Sequence, residues 1–284
     1  MSVDFESGGR SAFNLSGKVV VVVGGGQMPG PRIGNGRATA VVAARHGAEV
    51  VVVDIDTTAA ERTVEMIGVE GGRGYAVPAD VSSEQDCRHI FDTAIERSGR
   101  VDGMVYSVAI NPPFDREANS MTKENFYHGI DVNMLGCFHC NRYAAHAMAR
   151  NGGDTAGSIV NVSSIASIKN GLGLNIGIMP YALGKCGLNQ ITELTAVQFA
   201  GDGIRANTLM LGPIDSTIGN HDAQALFGLD EKQVEEAYRR TVALKMGRAS
   251  AWETGYAALY LLSDESRFMT GQQIRLDGGA ALTR

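Results

Sequence analysis

The sequence predicts an α/β fold: one doubly wound, parallel sheet covered by helices on both faces. Three observations predict it. Apolar, β-branched runs alternate with helically periodic segments along nearly the whole chain, the order that parallel strands with helical crossovers require. The runs are continuously apolar, as in the valines of 19–23, which suits strands buried on both faces. Glycine is in excess, with 36 in 284 residues but only 7 prolines and no Gly-X-Y period. That excess belongs to turns and close backbone approaches.

About seven strands are expected, over Val19–Val23, Val50–Val53, Gly74–Val77, Val101–Val105, Ser158–Val162, Arg205–Leu209 and Gln272–Leu276. Helical periodicity covers Gly36–His46, Thr57–Ile67, Glu84–Ser98, Ala182–Ala200 and Trp252–Leu262, with a single long helix over Lys123–Arg150. Residues 1–16 read as an N-terminal extension and 17–284 as one domain without internal repeat or linker. Residues 213–250 break the regularity. They carry a short amphipathic stretch, Glu231–Val242, and so long a connection is expected to serve as an active-site lid.

Composition excludes several classes. With 25 Lys+Arg against 31 Asp+Glu, the chain lacks the basic footprint of a nucleic-acid-binding protein. No apolar stretch approaches the ~20 residues of a membrane span, and the first residues lack a secretory apolar core. Cys87, Cys137, Cys140 and Cys186 sit in regular segments and read as reduced thiols of a cytoplasmic protein. Cys137 and Cys140, with His139 and His146, have no second ligand pair at zinc spacing, so no metal is expected.

The first strand runs into GGGQMPGPRIGNGRATA. A strand, then glycines, then a helix is the Rossmann-type setting for a pyrophosphate, held by the free amides of the helix start. Gly24–Gly26 read as the turn, Gly34 and Gly36 as the helix start, and Gln27–Arg32 as an inserted bulge. Asp54 ends the second strand, 20 residues after Gly34. An acid there bonds the adenosine ribose hydroxyls and repels a 2′-phosphate, which favours NAD over NADP. Arg32 is the dissenting charge, since it could accept that phosphate. Asp80-Val81 follow the third strand, where Asp80 either faces the adenine or caps the next helix.

Tyr181 and Lys185 stand four residues apart in a helical stretch and so share a face. An ammonium near a phenol favours the phenolate and suits it for proton transfer. Ser163 and Ser164 follow the fifth strand, at the sheet edge where ligands bind. Asn133 lies within the long helix, a disfavoured place that asks for a reason.

These pieces together resemble the short-chain dehydrogenase/reductase family. They are the glycine turn, Asp54, Asp80-Val81, Val132-Asn133, Gly157–Ser164, Tyr181-x-x-x-Lys185, Gly212-Pro-Ile and the terminal Gly271 to Gly279. The resemblance implies Tyr181 as general acid/base and Ser164 as holder of the substrate oxygen. It implies Lys185 on the nicotinamide ribose and Asn133 anchoring a water linked to Lys185. It places cofactor contacts at Gly24, Gly26, Arg32, Ile33, Gly34, Asp54, Asp80, Val81, Ala109, Gly212, Ile214, Ser216 and Thr217. It also implies a homo-oligomer, a dimer or tetramer.

Four departures stand out. The glycine loop is longer by about five residues, Tyr106-Ser107-Val108-Ala109 replaces the usual Asn-Asn-Ala-Gly, and Leu211-Gly212 replaces Pro-Gly. Ser164 and Tyr181 are 17 apart, a few more than is usual, which enlarges the loop beside the substrate and leaves Ser163 as a rival to Ser164. Pro113, Phe114, Ile165, Met179 and Phe227 are candidates for an apolar substrate wall. The expected activity is hydride transfer between NAD(H) and a secondary alcohol or ketone. The alternatives are a 3-oxoacyl-carrier reductase using NADPH, which Asp54 opposes, and a nucleotide-sensing scaffold, which would not need the Tyr-Lys pair. In enoyl reductases the proton donor lies seven residues before the lysine, here Ile178.

Overall fold

The valine run is where the sheet begins. The structure, a computed structural model, describes residues 12–115, 120–169, 176–221 and 228–283. Strand β1 (Val19–Val23) is buried at every position. Val19, Val21 and Val23 point into one apolar cluster, and Val20 and Val22 into the other. Burial of each valine contributes about 2 kcal/mol, so one strand anchors both layers.

The remaining strands are β2 (Glu49–Asp54), β3 (Arg73–Pro78), β4 (Gly103–Tyr106), β5 (Gly157–Ser164), β6 (Ile204–Leu211) and β7 (Gln273–Leu276). All seven are parallel, in the order β3-β2-β1-β4-β5-β6-β7. Helices α1 (Asn35–Arg45) and α2 (Thr57–Val69) cover one face, together with a late helix, Ala251–Leu262. Helix α3 (Glu84–Ser98) covers the other with two segments described next. The chain winds outward from β1 to β3, then returns to the other side of β1 at β4. That reversal opens a crevice at the carboxyl ends of β1 and β4.

The single helix expected over Lys123–Arg150 is three pieces: α4 (Lys123–Ile130), a π turn (Asp131–Leu135) and α5 (Gly136–Ala149). The cause is local. Asn133 is buried and its amide exchanges two hydrogen bonds with the Ile110 main chain, at 3.0 and 2.9 Å. A Cβ at Gly136 would lie 2.7 Å from the Tyr106 hydroxyl, so the helix is pressed against β4 just beyond the bulge. π turns of this kind occur often at functional sites.

Strand β4 starts two residues later than the apolar run suggests, because Asp102 at that place serves as an acceptor for the Val19 amide and for Arg100. Strand β5 continues through Ser163 and Ser164, which pair with Met210 and Leu211 of β6. Helix α6 (Met179–Gln198) starts on Met179-Pro180, three residues earlier than expected. Within the N-terminal extension, Leu15 is fully buried, and its amide bonds the His46 carbonyl at 2.8 Å. In the expected lid, Ile214–Asp215 pairs in parallel with Ala249–Ser250, residues 217–221 are helical, and α7 (Glu231–Thr241) starts on a capping box of Asp230 and Gln233. The late helix, α8, follows directly.

Candidate active site

The glycine turn is shaped by contact. Gly24 has φ +80°, and a Cβ there would lie 3.0 Å from the Ser107 carbonyl after β4. The amides of Gly24 and Gly25 both donate to the Val53 carbonyl. A Cβ at Gly36 would lie 1.8 Å from the Gly24 carbonyl oxygen, so α1 meets the turn backbone to backbone. Gly34 is the N-cap of α1, and no side chain caps the first turn. Uncapped amides at a helix start behind a glycine turn suit a pyrophosphate.

The inserted bulge is ordered by its own bonds. Gln27 accepts the Gly34 amide at 2.8 Å through its side-chain oxygen. Ile33 packs into the core below. The Arg32 guanidinium pairs with Asp215 at 2.6 Å and with Glu231.

Asp54 is held at the end of β2 by the amides of Gly26, at 2.9 Å, and Asp56, at 3.1 Å. The N-cap of α2 is Asp56, which accepts the Ala59 amide. Burial pushes the Asp54 carboxyl up, against the pull of those amides. Ser83, not Asp80, caps α3. Asp80 turns back to accept from the amide and hydroxyl of Ser82, at 2.9 and 2.7 Å, while Val81 is buried.

Helix α6 carries Tyr181 and Lys185 on one face. Lys185 is 2% exposed. Its Nζ donates to the Val108 carbonyl at 3.0 Å and the Val162 carbonyl at 2.8 Å, and lies 5.8 Å from the Tyr181 ring centroid. Burial lowers its pKa from 10.5 to about 8. Gly184 lets α6 approach the π turn, because a Cβ there would lie 2.5 Å from the Asn133 Cβ. The structure thus brings Asn133, Tyr181 and Lys185 to one place.

The two serines separate. Ser163 is 2% exposed, and its hydroxyl points into α6, donating to the Lys185 carbonyl at 3.4 Å. Ser164 is half-buried at the strand end, where its Oγ accepts the Ala166 amide at 3.1 Å. Of the pair, only Ser164 presents its hydroxyl at the carboxyl edge.

Beyond β6, Gly212 lies against Asp277, where a Cβ would come within 2.5 Å of the Asp277 Cα. Ile214 is buried in the core. Ser216 accepts the Gly219 amide at 3.2 Å, capping the helix over 217–221. Thr217 donates to the Arg32 carbonyl at 3.0 Å. Ala109 is half-buried in the segment that Gly24, Asn133 and Lys185 all touch through its neighbours. Of the candidate substrate wall, Pro113 and Met179 are exposed, Phe114 and Ile165 are half-buried, and Phe227 lies outside the described residues, as does 170–175 of the enlarged loop.

Sequence reasoning missed Arg248, whose side chain is 6% exposed and pairs with Asp215 and Glu235 at 3.1 and 3.0 Å. Nothing in its local sequence marks it. It also missed the carbonyls of Val108 and Val162, since main-chain acceptors leave no residue signature. Cys137 and Cys140 are buried free thiols, and burial raises the Cys137 pKa to about 12. Among the described residues, no three His, Cys, Asp or Glu side chains are placed to hold a metal, and no helix is long and apolar enough to cross a membrane.

A sheet in this order, with an amide-lined glycine turn at its reversal point, is a dinucleotide-binding α/β fold. Comparison narrows the class. A family model described as enoyl-(acyl carrier protein) reductase matches residues 32–281. Momilactone A synthase of Oryza sativa subsp. japonica is 31% identical over 95% of this chain and 92% of its own. A short chain dehydrogenase/reductase of Aspergillus oryzae is 30% identical over 97% and 99%. A 7α-hydroxysteroid dehydrogenase, solved with NADH and 7-oxo glycochenodeoxycholic acid, superposes with a TM-score of 0.81 at 26% identity, covering 94% of this chain and 95% of its own. The chain belongs to the short-chain dehydrogenase/reductase family of oxidoreductases.

Proposed function

We propose that this protein is an NAD(H)-dependent oxidoreductase that interconverts a secondary alcohol and its ketone. The observation that carries the reading is the buried Lys185 ammonium, 5.8 Å from the Tyr181 ring on the same helix face. Asp54 supports NAD over NADP, because its carboxylate is fixed at the end of β2 and Arg32 is engaged elsewhere. The 7α-hydroxysteroid dehydrogenase relative, holding NADH and a 7-oxo compound, points the same way.

In this reading the turn Gly24–Gly26 and the start of α1 would hold the cofactor, with Asp54 on its adenosine ribose. Lys185, Ala109 and the segment Gly212–Thr217 would hold its nicotinamide end. When bound, it supplies the hydride donor or acceptor. The chain's residues manage the proton. Ser164 Oγ holds the substrate oxygen. Tyr181 as phenolate takes the hydroxyl proton in oxidation and, as phenol, returns it in reduction. The Lys185 charge stabilises that phenolate. Asn133 holds the 107–110 segment and, with it, the Val108 carbonyl to which Lys185 bonds. Tyr181 stands four residues before Lys185, and the residue seven before is Ile178, which has no proton to give. That favours carbonyl over carbon–carbon double-bond chemistry, despite the description of the matching family model.

The substrate class is small to medium and largely apolar, as Phe114 and Ile165 suggest. A cytoplasmic homo-oligomer, a tetramer in particular, completes the reading. The test is a screen of secondary alcohols and ketones with NAD(H) and NADP(H), followed by nicotinamide absorbance. Equal rates with both cofactors refute the Asp54 argument.

A further inference from the structure

The segment Gln27–Arg32 reaches the far side of the crevice. Strands β1 and β6 are separated in the sheet by β4 and β5. Three strand spacings of ~4.8 Å put their ends about 14 Å apart. Yet the segment leaving β1 touches the segment leaving β6 at three successive places. Gly30 lies against Thr217, where a Cβ would meet the Thr217 side chain at 2.3 Å. The Thr217 hydroxyl donates to the Arg32 carbonyl at 3.0 Å. The Arg32 guanidinium pairs with Asp215 at 2.6 Å and with Glu231 at the first turn of α7.

The far anchor is itself braced. Arg248 reaches the same Asp215 oxygen, Oδ1, at 3.1 Å, and its side chain is buried, bonded also to Glu235 at 3.0 Å and Asn220 at 2.6 Å. The near anchor is the Gln27 side chain on the Gly34 amide. The bulge is therefore a span fixed at both ends, crossing the edge along which a dinucleotide would lie.

We propose that Arg32 is a positioning residue: with Gly30 it forms a bridge that fixes the Ile214–Thr217 segment over the bound dinucleotide and sets how slowly NADH leaves. This rests on the nicotinamide-dependent reading above. A dinucleotide held between the α1 start and Ile214–Thr217 would lie against this bridge, and its departure would require the Arg32 ion pairs to open. Those pairs are part-exposed, with the Arg32 side chain at 27% and Asp215 at 38% exposure, and so salt weakens them.

The test is NADH release from the full-length protein, followed by stopped-flow fluorescence with excess NAD as trap. Arg32→Met should raise the release rate roughly two- to thirtyfold, the range for two part-exposed ion pairs. Glu231→Gln, on an exposed helix turn that folds regardless, should raise it severalfold. The double variant should add less than the product of the two, because they share one pair. Arg32→Lys, which keeps the charge, should restore most of the slow release. Raising salt should speed release from the wild type but not from Arg32→Met. A merely structural role would not produce that salt dependence. Unchanged release in both Arg32→Met and Glu231→Gln overturns the bridge alone. Failure of the wild type to bind NADH at all overturns the functional reading, and the bridge with it.

Discussion

Replacing Lys185 with Met removes a buried charge while keeping the length of the side chain. At pH 7 the lysine, with a pKa of about 8, is mostly charged. Its Nζ lies 5.8 Å from the Tyr181 ring centroid. Taking that distance as the charge separation, at an effective dielectric of ~20 the two charges interact by roughly 3 kcal/mol, or about two orders of magnitude in phenolate population. Lys185→Met should therefore lower the rate of alcohol oxidation at pH 7 by about a hundredfold. The pH–rate limb should move to higher pH by about two units, with a single-turnover assay separating proton transfer from cofactor release. A variant that keeps the wild-type pH profile and only a lower plateau would refute the electrostatic role and leave Lys185 as a ribose holder.

The same substitution tests the burial. The folded chain holds Lys185 at about 8, below its ordinary 10.5. Between those values the unfolded chain binds more protons, so stability rises with pH across that window. Thermal melts should show this rise in the wild type and a flatter profile in Lys185→Met. At pH 7 the variant should keep a similar Tm, because relief of the buried charge offsets the two carbonyls left without a donor.

Three further outcomes follow. Ser164→Ala should reduce turnover by about a hundredfold or more, whereas Ser163→Ala should stay within tenfold, since its hydroxyl faces the Lys185 carbonyl inside the protein; steady-state rates decide, and the reverse order would reassign the serine. Asp54→Ser should raise the NADP-to-NAD ratio of kcat/KM by about a hundredfold, consistent with the loss of one close charge repulsion of ~3 kcal/mol; an unchanged ratio counts against the ribose contact. Gly36→Ala must move backbone, because its Cβ would lie 1.8 Å from the Gly24 carbonyl; a loss of at least 1–3 kcal/mol in denaturant melts is expected, together with loss of NADH binding by fluorescence titration.

The sheet was legible because its signals are local. Valine runs name the buried strands, and the glycines of the turn and Asp54 sit at fixed offsets from β1 and β2. Tyr181 and Lys185 were legible because a helix turns their spacing into a shared face. The π turn was not. It arises from Asn133 bonding Ile110, 23 residues away, and from Gly136 and Gly184 letting helices close in, none of which alters helical periodicity. The choice between Ser163 and Ser164 waited on strand β5 running two residues further, which sets alternate side chains to opposite faces. Arg32 shows the same limit more sharply. Its partners Asp215 and Glu231 stand more than 180 residues on, and a sequence marks such charges without saying which of them meet.

In the proposed reaction Tyr181 moves the proton while the fold holds the dinucleotide. Tyr181→Phe tests it most directly, with any alcohol or ketone that the wild type turns over and with NADH binding measured in parallel. The variant should lose turnover by about a thousandfold, with NADH affinity within about threefold of the wild type. Turnover within tenfold of the wild type would contradict the proposed role of Tyr181.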